Sequence, residues 1–229
     1  MFFEGSIQLT NPIYATAKDE AGPGALFSSG GGKELALQQI ADGSYLVYMG
    51  LMVAEDFHLT TTHLTTEADG TEAARHLLLS SSEFYSSWSS QLRTFIEHAE
   101  GPFRPWPLYH LPADQVSWDQ ETAPRGITLI GDAAHVSTPF AGEGVNCSML
   151  DAVTLFDCIV KHHSDGQPNS LPISDDALQA ALVEYERDMF PRGSDLIQRS
   201  NTIGDHMYSQ NGAQQFLDYF MAVMKDGAE

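Results

Sequence analysis

Basic residues are scarce in this sequence of 229 residues, which has 11 Lys and Arg against 31 Asp and Glu and a formal net charge of −20. Nucleic-acid-binding surfaces need basic stripes, and anionic lipid attracts polybasic segments. Neither pattern occurs in the sequence, so we expect no nucleic-acid partner. The simplest reading of the acidity is a well-solvated surface.

Long apolar runs and cysteines are scarce as well. No apolar run approaches the roughly 20 residues of a membrane span, and the first residues, MFFEG, do not resemble a secretory signal. The two cysteines, Cys147 and Cys158, fall on one predicted helix about 16 Å apart along its axis, which is too far for a disulfide. We therefore expect two reduced thiols in a cytoplasmic protein without a membrane span.

Several catalytic and metal-binding motifs are missing. The sequence has no G-x-S-x-G, and this disfavours a hydrolytic triad built around His135 with Ser137 or Ser148. It also has no H-E-x-x-H and no C-x-x-C, so we predict no metal site. The adjacent His162 and His163 point to different helix faces and are interpreted as solvated.

A sheet is predicted over residues 1–62. Its clearest part is a hairpin, in which residues 34–40 and 44–53 are joined by Asp42-Gly43, a strong two-residue turn signal. The second strand is apolar on both faces, so we expect cover on one side by protein and on the other by a helix or a ligand. Residues 22–32 are predicted to form a flexible loop. Residues 102–112 contain four prolines and suit an edge or crossing segment.

In the remaining segments the apolar residues recur at helical spacing, which predicts helices. The predicted helices are residues 71–79, a helix capped by Ser81 or Ser82 that ends at Gly101, a helix capped by Ser174 and stopped by Pro191, and a region over residues 194–225 interrupted at Gly204 and at Asn211-Gly212.

The chain is organised around residues 126–160, predicted as a buried strand over residues 127–130, a punctuated loop and a helix from Asn146. Asp132 at the strand end is a natural acceptor for polyol hydroxyls. The glycines before the helix let a ligand approach the backbone, and a helix N-terminus favours an anion. The same residues also suit an ordinary strand–loop–helix connection, and the residue pattern alone leaves both interpretations open.

The segment LIGDAAHVSTPFAGEGVNCSMLDA closely resembles the second FAD-contacting motif of the class A flavoprotein monooxygenases, the p-hydroxybenzoate-hydroxylase-like group. The subgroup it most resembles contains the tetracycline-inactivating monooxygenases and related fungal enzymes. Weaker family features are FYSSW before a predicted helix, WPL, and YER followed by PR. The motif residues are Gly131, Asp132, Ala133, Ala134, His135, Pro139, Gly142, Gly144, Asn146, Asp151 and Ala152.

The resemblance implies an FAD-dependent monooxygenase. Asp132, with Gly131, would contact the ribityl chain, while Pro139 and the segment Gly142, Gly144, Val145 and Asn146 would pass along the isoalloxazine ring, with backbone N–H groups at its pyrimidine edge. NAD(P)H would reduce FAD, and O₂ would add to form a C4a-hydroperoxide that transfers one oxygen atom to a small aromatic or polycyclic substrate. No side chain need act as a nucleophile, so no catalytic residue is named. Gln38, Tyr48 and Phe140 are candidate substrate-pocket residues.

By the same resemblance the fold is α+β or α/β. It would combine an antiparallel substrate-domain sheet with the C-terminal part of a Rossmann-like FAD-binding domain and C-terminal helices. Residues 1–112 would be a partial substrate-binding domain, residues 113–172 the FAD-binding part, and residues 173–229 the C-terminal helices.

The sequence departs from the family in lacking both the G-x-G-x-x-G of the first βαβ unit and the middle Asp-Gly motif. We therefore expect an N-terminally truncated chain that lacks roughly 150–200 residues. The strand over residues 127–130 would then lack its neighbours, and we expect poor solubility or weak FAD affinity. The alternative is a non-catalytic remnant acting as a binding or assembly module.

Overall fold

The computed structural model describes residues 1–57, 68–163 and 173–226. The chain divides into two compact units, the first made of Met1–Leu108 with Asp205–Glu229 and the second of Tyr109–Gly204. The mixed α+β fold expected from the sequence, with an antiparallel sheet and C-terminal helices, is confirmed. Among the helices of the described ranges, none has the length and apolar character needed to cross a lipid bilayer.

The first unit contains a five-stranded antiparallel sheet of order β2-β3-β4-β1-β5. The predicted hairpin is confirmed, since β3 pairs with β4 and Gly43 supplies the positive φ of 87° that its turn needs. The first part of the proline-rich segment, up to Trp106, lies in the edge strand β5, as expected. The strands are β1 (Phe2–Ile7), β2 (Ala25–Gly30), β3 (Lys33–Gln39), β4 (Tyr45–Leu51) and β5 (Glu100–Trp106).

Two predictions about this sheet region are wrong. The expected flexible loop over residues 22–32 contains β2, because pairing with β3 orders a segment whose Ser and Gly content suggested a loop. The expectation of sheet throughout residues 1–62 also fails at helix α1 (Tyr14–Ala21), which buries Ala17, and its last part, residues 58–62, lies outside the described residues. Tertiary packing decides both segments, and neither carries a strong local pattern.

Helices cover one face of the sheet. Helix α2 (Ala68–Ser80) contains the predicted helix over residues 71–79. The next helix, α3 (Ser90–His98), begins later than predicted, and Ser89 rather than Ser81 or Ser82 caps it by accepting a hydrogen bond from the amide of Leu92 at 3.3 Å. The turns before it pack Phe84 and Tyr85 into the core instead of extending the helix.

The two faces of β4 differ in burial. Tyr45, Val47 and Met49 are fully buried, whereas Leu46 and Tyr48 on the opposite face are half-buried. That second face is covered in part by the chain after α6, where the Tyr208 hydroxyl donates to Glu34 at 3.0 Å. The first unit therefore has one closed face and one partly open face.

The second unit is built on helices α4 (Asp132–His135), α5 (Gly144–His163) and α6 (Asp175–Met207), the last of which ends in the first unit. Short 3₁₀ turns lie at Ala113–Gln115 and Pro139–Ala141. The predicted helix from Asn146 is confirmed as α5. The buried core of this unit comprises Val116, Ala134, Cys158, Ala181, Tyr185, Met189 and Ile197.

The strand predicted over residues 127–130 is not found, and this prediction is wrong for the described structure. The segment is unpaired with any strand and is tied instead to α6. Thr128 donates to Glu186 at 2.9 Å, and the Tyr185 hydroxyl donates to the carbonyl of Leu129 at 3.0 Å. A strand requires a neighbouring strand, and an apolar run cannot show whether one is present.

Helix α6 continues through Pro191 and Gly204, so the predicted stop and the first predicted interruption are wrong. A proline inside a helix costs about 3 kcal/mol, but Met189 and Ile197 on either side are fully buried, and this packing stabilises the helix across it. The predicted cap is confirmed, with the Ala177 amide donating to Ser174 at 3.2 Å. The final helix, α7, covers Gly212–Asp226.

The remaining histidine and cysteine predictions are only partly tested. His162 and His163 end α5, and residues 164–172, which follow them, lie outside the described residues. His162 contacts Glu184 at 2.8 Å, so it is paired rather than simply solvated. Cys147 and Cys158 are both free and buried, in agreement with the expected reduced thiols.

Candidate functional site

A tight turn at Gly131 presents the carboxylate of Asp132 to solvent. Gly131 has a φ of +59° and is buried, and a Cβ there would meet the Ser148 hydroxyl at 2.9 Å. Only glycine fits this close approach to α5. Asp132 is exposed, and its carboxylate accepts no hydrogen bond from the described part of the chain. An unpaired acceptor therefore stands beside the first turns of α5.

The loop that leads into α5 has open space beside its two glycines, Gly142 and Gly144. Gly142 has a φ of +67°, and a Cβ at Gly142 or Gly144 would meet nothing within 4 Å. Pro139 is exposed in the preceding 3₁₀ turn. Phe140 packs its ring against Gly204, where a Cβ would meet ring carbon Cδ2 at 2.7 Å.

The N-terminus of α5 carries free backbone donors. Val145 is 73% exposed and Asn146 is exposed, and the first turn contains no acidic side chain. Glu143, which precedes the helix, pairs with Arg199 at 2.7 and 2.9 Å. Those hydrogen bonds lower the pKa of Glu143 and compensate its charge. The positive end of the helix dipole therefore faces open space.

Beneath these two surfaces lies a cluster around Asp151, which is fully buried. Its Oδ2 accepts hydrogen bonds from the Gly131 amide and from His135 Nε2, both at 2.7 Å. Its Oδ1 accepts from Arg192 at 2.8 Å. The His135 side chain packs on Gly193, where an added Cβ would meet His135 Cβ at 2.7 Å and the ring carbon Cγ at 3.0 Å. One carboxylate thus links α5 to the turn, to α4 and to α6.

The electrostatics of this cluster favour a charged carboxylate. Burial by itself raises the pKa of Asp151, but hydrogen bonds from Arg192, the Gly131 amide and His135 outweigh it and hold the pKa below the usual carboxyl range. Nδ1 of His135 is buried without a partner among the described residues. This favours a hydrogen on Nε2, because an Nδ1–H group there would be a buried donor without an acceptor.

His135, Cys147 and Asp151 have ligand atoms within 4.8 Å of one another, a spacing that could hold a metal ion. Both oxygens of Asp151 are already engaged, however, and the guanidinium of Arg192 beside them opposes a second cation. Burial and the charge of Asp151 also raise the pKa of Cys147, so its thiol stays protonated. We interpret the group as a hydrogen-bonded ionic cluster.

Sequence reasoning assigned no role to Asp151 or Arg192, although both lie in segments that carry the family resemblance. The available signal was an acidic residue inside an apolar stretch of a predicted helix, between Leu150 and Ala152. Charged residues are rarely fully buried unless they are paired. The partner could not be found because 41 residues separate Asp151 from Arg192.

The candidate substrate residues of the first unit lie on the partly open face of the sheet. The register pairs Tyr48 with Ala36 and Gln38 with Leu46, so Gln38 and Tyr48 share that face on adjacent strands. Gln38 is exposed and Tyr48 is half-buried. A cavity of about 310 Å³ lies farther along at β1 and β5, lined by residues that include Glu4, Ser6, Leu46, Arg104 and Trp106.

A second cavity, of about 200 Å³, lies in the second unit between the start of α5 and α6. Asn146 of the first helical turn and Arg192 of the Asp151 cluster both line this cavity. Its lining is Glu143, Asn146, Cys147, Leu150, Arg192, Leu196 and Arg199.

Comparison with known proteins gives one family match and several relatives. Residues 89–199 match a family model described as an FAD binding domain. Monooxygenase penA of Penicillium thymicola is 32% identical over 158 residues, which are 66% of this chain and 35% of that protein. Kynurenine 3-monooxygenase 2 of Aspergillus niger is 40% identical over 76 residues, which are 33% of this chain and 15% of that protein.

Solved structures share the fold. HpxO of Klebsiella pneumoniae complexed with FAD and uric acid aligns with 98% of this chain and 48% of that chain, with a TM-score of 0.63 and 18% identity. FqzB aligns with 95% of this chain and 47% of that chain, with a TM-score of 0.62 and 18% identity. The chain therefore spans about half the length of these structures and about a third of monooxygenase penA.

Proposed function

Because the chain belongs to the family of FAD-dependent monooxygenases, we propose that it provides the flavin-contacting turn and part of the substrate side of such an enzyme. Bound FAD, with NAD(P)H as the reductant, would supply the transfer of one oxygen atom from O₂ to an organic substrate. The residues of this chain would bind and orient the cofactor and limit the access of water. Within the chain we assign residues 113–172 to FAD binding, residues 1–112 to the substrate side and residues 173–229 to the C-terminal helices.

One observation carries the proposal. The unpaired carboxylate of Asp132 and the open first turn of α5 lie on adjacent surfaces of one unit, since Gly131 approaches Ser148 of α5 too closely for any side chain. This donor and acceptor set fits a flavin. Asp132 can accept hydrogen bonds from ribityl hydroxyls, and the N–H groups at Val145 and Asn146 can donate to the pyrimidine edge, which is anionic in the reduced flavin.

The open sheet face supports a small organic substrate. Gln38 offers an amide and Tyr48 an aromatic ring with a hydroxyl, and burial with the nearby Glu4 raises the pKa of that hydroxyl so that it stays protonated. We propose that this face contributes to a pocket for an aromatic or polycyclic compound. Phe140, the third candidate lining residue, lies in the second unit and stays a prediction. HpxO, which shares this fold, is complexed with uric acid as well as FAD, and a small organic ligand of that kind supports this size class.

A flavin titration with the Asp132→Asn variant tests the cofactor role. Loss of a hydrogen bond to a charged group costs about 1.5–3 kcal/mol, so we expect flavin to bind about 10- to 100-fold more weakly than to the wild type. The matched control is Asp157→Asn, because Asp157 is an exposed aspartate on α5 away from its first turn. Equal affinities for all three proteins would contradict the assigned role of Asp132.

An alternative role as a binding or assembly module without catalysis is supported by the exposed apolar side chains of α5, such as Val153 and Phe156. Oxidation of NADPH that depends on both this chain and an aromatic substrate would exclude this alternative. If the chain takes up flavin but no substrate accelerates NADPH oxidation, the alternative is favoured.

A further inference from the structure

The Asp151 carboxylate joins the two surfaces to which the proposed function assigns flavin binding. It projects from α5, the helix whose first turn offers the backbone donors, and it accepts the amide hydrogen of Gly131 at 2.7 Å. Gly131 immediately precedes Asp132, the proposed ribityl contact. A single side chain with no exposure to solvent therefore connects the acceptor and the donors of the candidate site.

Three groups from three segments surround this carboxylate, and each donates a hydrogen bond to it. The Gly131 amide and His135 Nε2 bind Oδ2, and Arg192 binds Oδ1. A buried carboxylate with this many donors has a fixed orientation, because any rotation would leave a buried donor unpaired. The positions of the turn and of α4 relative to α5 are then fixed with it.

We propose that Asp151 is a positioning residue that sets the place of the Asp132 turn relative to the first turn of α5, with Arg192 compensating its buried charge. This inference rests on the proposed function, because the geometry that Asp151 sets is the geometry in which the flavin would be held. Arg192 matters because an uncompensated carboxylate beneath the site would oppose the negative charge of a reduced flavin. The guanidinium compensates that charge through its hydrogen bond to Oδ1 of Asp151.

A purely structural role makes a different prediction. If Asp151 only stabilised the second unit, its loss would loosen all buried parts of that unit together. A positioning role confines the change to residues 131–135 and makes the effect on flavin binding depend on Asp132. Both differences can be measured.

The main test compares Asp151→Asn with Asp188→Asn. Both carboxylates contact Arg192, but Asp188 does so from an exposed position on α6 and does not touch the turn. In Asp151→Asn we expect the backbone amides of residues 131–135 to exchange hydrogen at least about tenfold faster than in the wild type. At buried α6 positions such as Met189 and Ile197, we expect the exchange rates of the variant to equal those of the wild type. Asp188→Asn should leave both sets unchanged. Unchanged exchange at 131–135, or equal acceleration everywhere, overturns the proposal.

A double-mutant cycle in flavin affinity supplies the second readout. We expect Asp151→Asn to weaken flavin binding by about tenfold or more and the variant with both Asp132→Asn and Asp151→Asn to bind no more weakly than the worse single variant, because the two residues act through one contact. Additive losses would overturn the proposal. If the wild-type chain takes up no flavin, the proposed function fails for this chain, while hydrogen exchange still decides the role of Asp151.

The wild-type protein provides a test if Asp151→Asn does not fold. The Gly131 amide is bound to the buried carboxylate, whereas the exposed Asp132 and Ala133 open the short helix α4 and their amides lack a helical partner. We expect the Gly131 amide to exchange at least about tenfold more slowly than these two neighbours. Equal exchange rates at the three amides would contradict the proposed positioning role of Asp151.

Discussion

Burial of Glu34 on β3 makes the stability of the first unit depend on pH. The side chain is 3% exposed and accepts a hydrogen bond from the Tyr208 hydroxyl at 3.0 Å. Burial raises the pKa of Glu34 to about 7, although this hydrogen bond and the nearby amino group of Met1 act in the opposite direction. The folded state therefore holds this proton more strongly than the unfolded state, in which a carboxyl group has its ordinary pKa.

The sign of the pH effect follows from that difference. The stabilisation from the bound proton is fully present below about pH 4.5, the unfolded value, and is lost as the pH rises through about 7. A shift of this size corresponds to roughly 3 kcal/mol. We expect the free energy of unfolding of the wild type to fall over this window and to fall less in Glu34→Gln, which should be the more stable protein at pH 8. Urea unfolding at a series of pH values measures this.

The matched control for Glu34→Gln is Glu83→Gln, since Glu83 is exposed. This variant should follow the wild-type pH dependence throughout. If Glu34→Gln also follows it, the buried carboxyl does not govern the pH dependence of the first unit.

At the scale of elements, local signals predicted those parts of the fold that depend on neighbouring residues. The hairpin of β3 and β4 follows from Asp42-Gly43, and α5 from its apolar spacing, because in each the decisive contacts lie close in sequence. Residues 127–130 and the continuation of α6 through Pro191 could not be predicted, because distant partners decide both. For the candidate site, the turns at Gly131 and Gly142 were visible in the sequence as glycines, whereas the buried ion pair of Asp151 with Arg192 was not.

The start of α3 depends on a single cap. Ser89 accepts a hydrogen bond from the Leu92 amide, which otherwise lacks a partner in the first helical turn. We expect Ser89→Ala to reduce the free energy of unfolding by about 1 kcal/mol, within a range of about 0.5–2. Thermal or urea unfolding would detect this, with Ser87→Ala at an exposed position of the preceding turn as the control. A loss in Ser87→Ala equal to that in Ser89→Ala would argue against the cap.

At the scale of the whole molecule, apolar surface of the second unit faces water. Val153 and Phe156 on α5 are 56% and 64% exposed, and the extended segment before the turn exposes Ile127 to 63%. Further exposed apolar side chains on α5 are Val145, Met149, Leu150 and Val160. Exposed apolar residues that lie on one helix favour association, because each side chain buried in a contact contributes up to about 1.5–3 kcal/mol.

We therefore expect the chain to self-associate reversibly through α5, with a weight-average mass that rises with protein concentration in sedimentation velocity. Replacing both Val153 and Phe156 by Ser should weaken association by about tenfold or more, since it removes two of the contributing side chains. The control is Leu9→Ser, a change at a side chain of the first unit that is 55% exposed. It should leave the mass distribution as in the wild type. A wild-type chain that stays monomeric at every concentration would contradict the prediction, and equal effects of the two replacements would show that association does not run through α5.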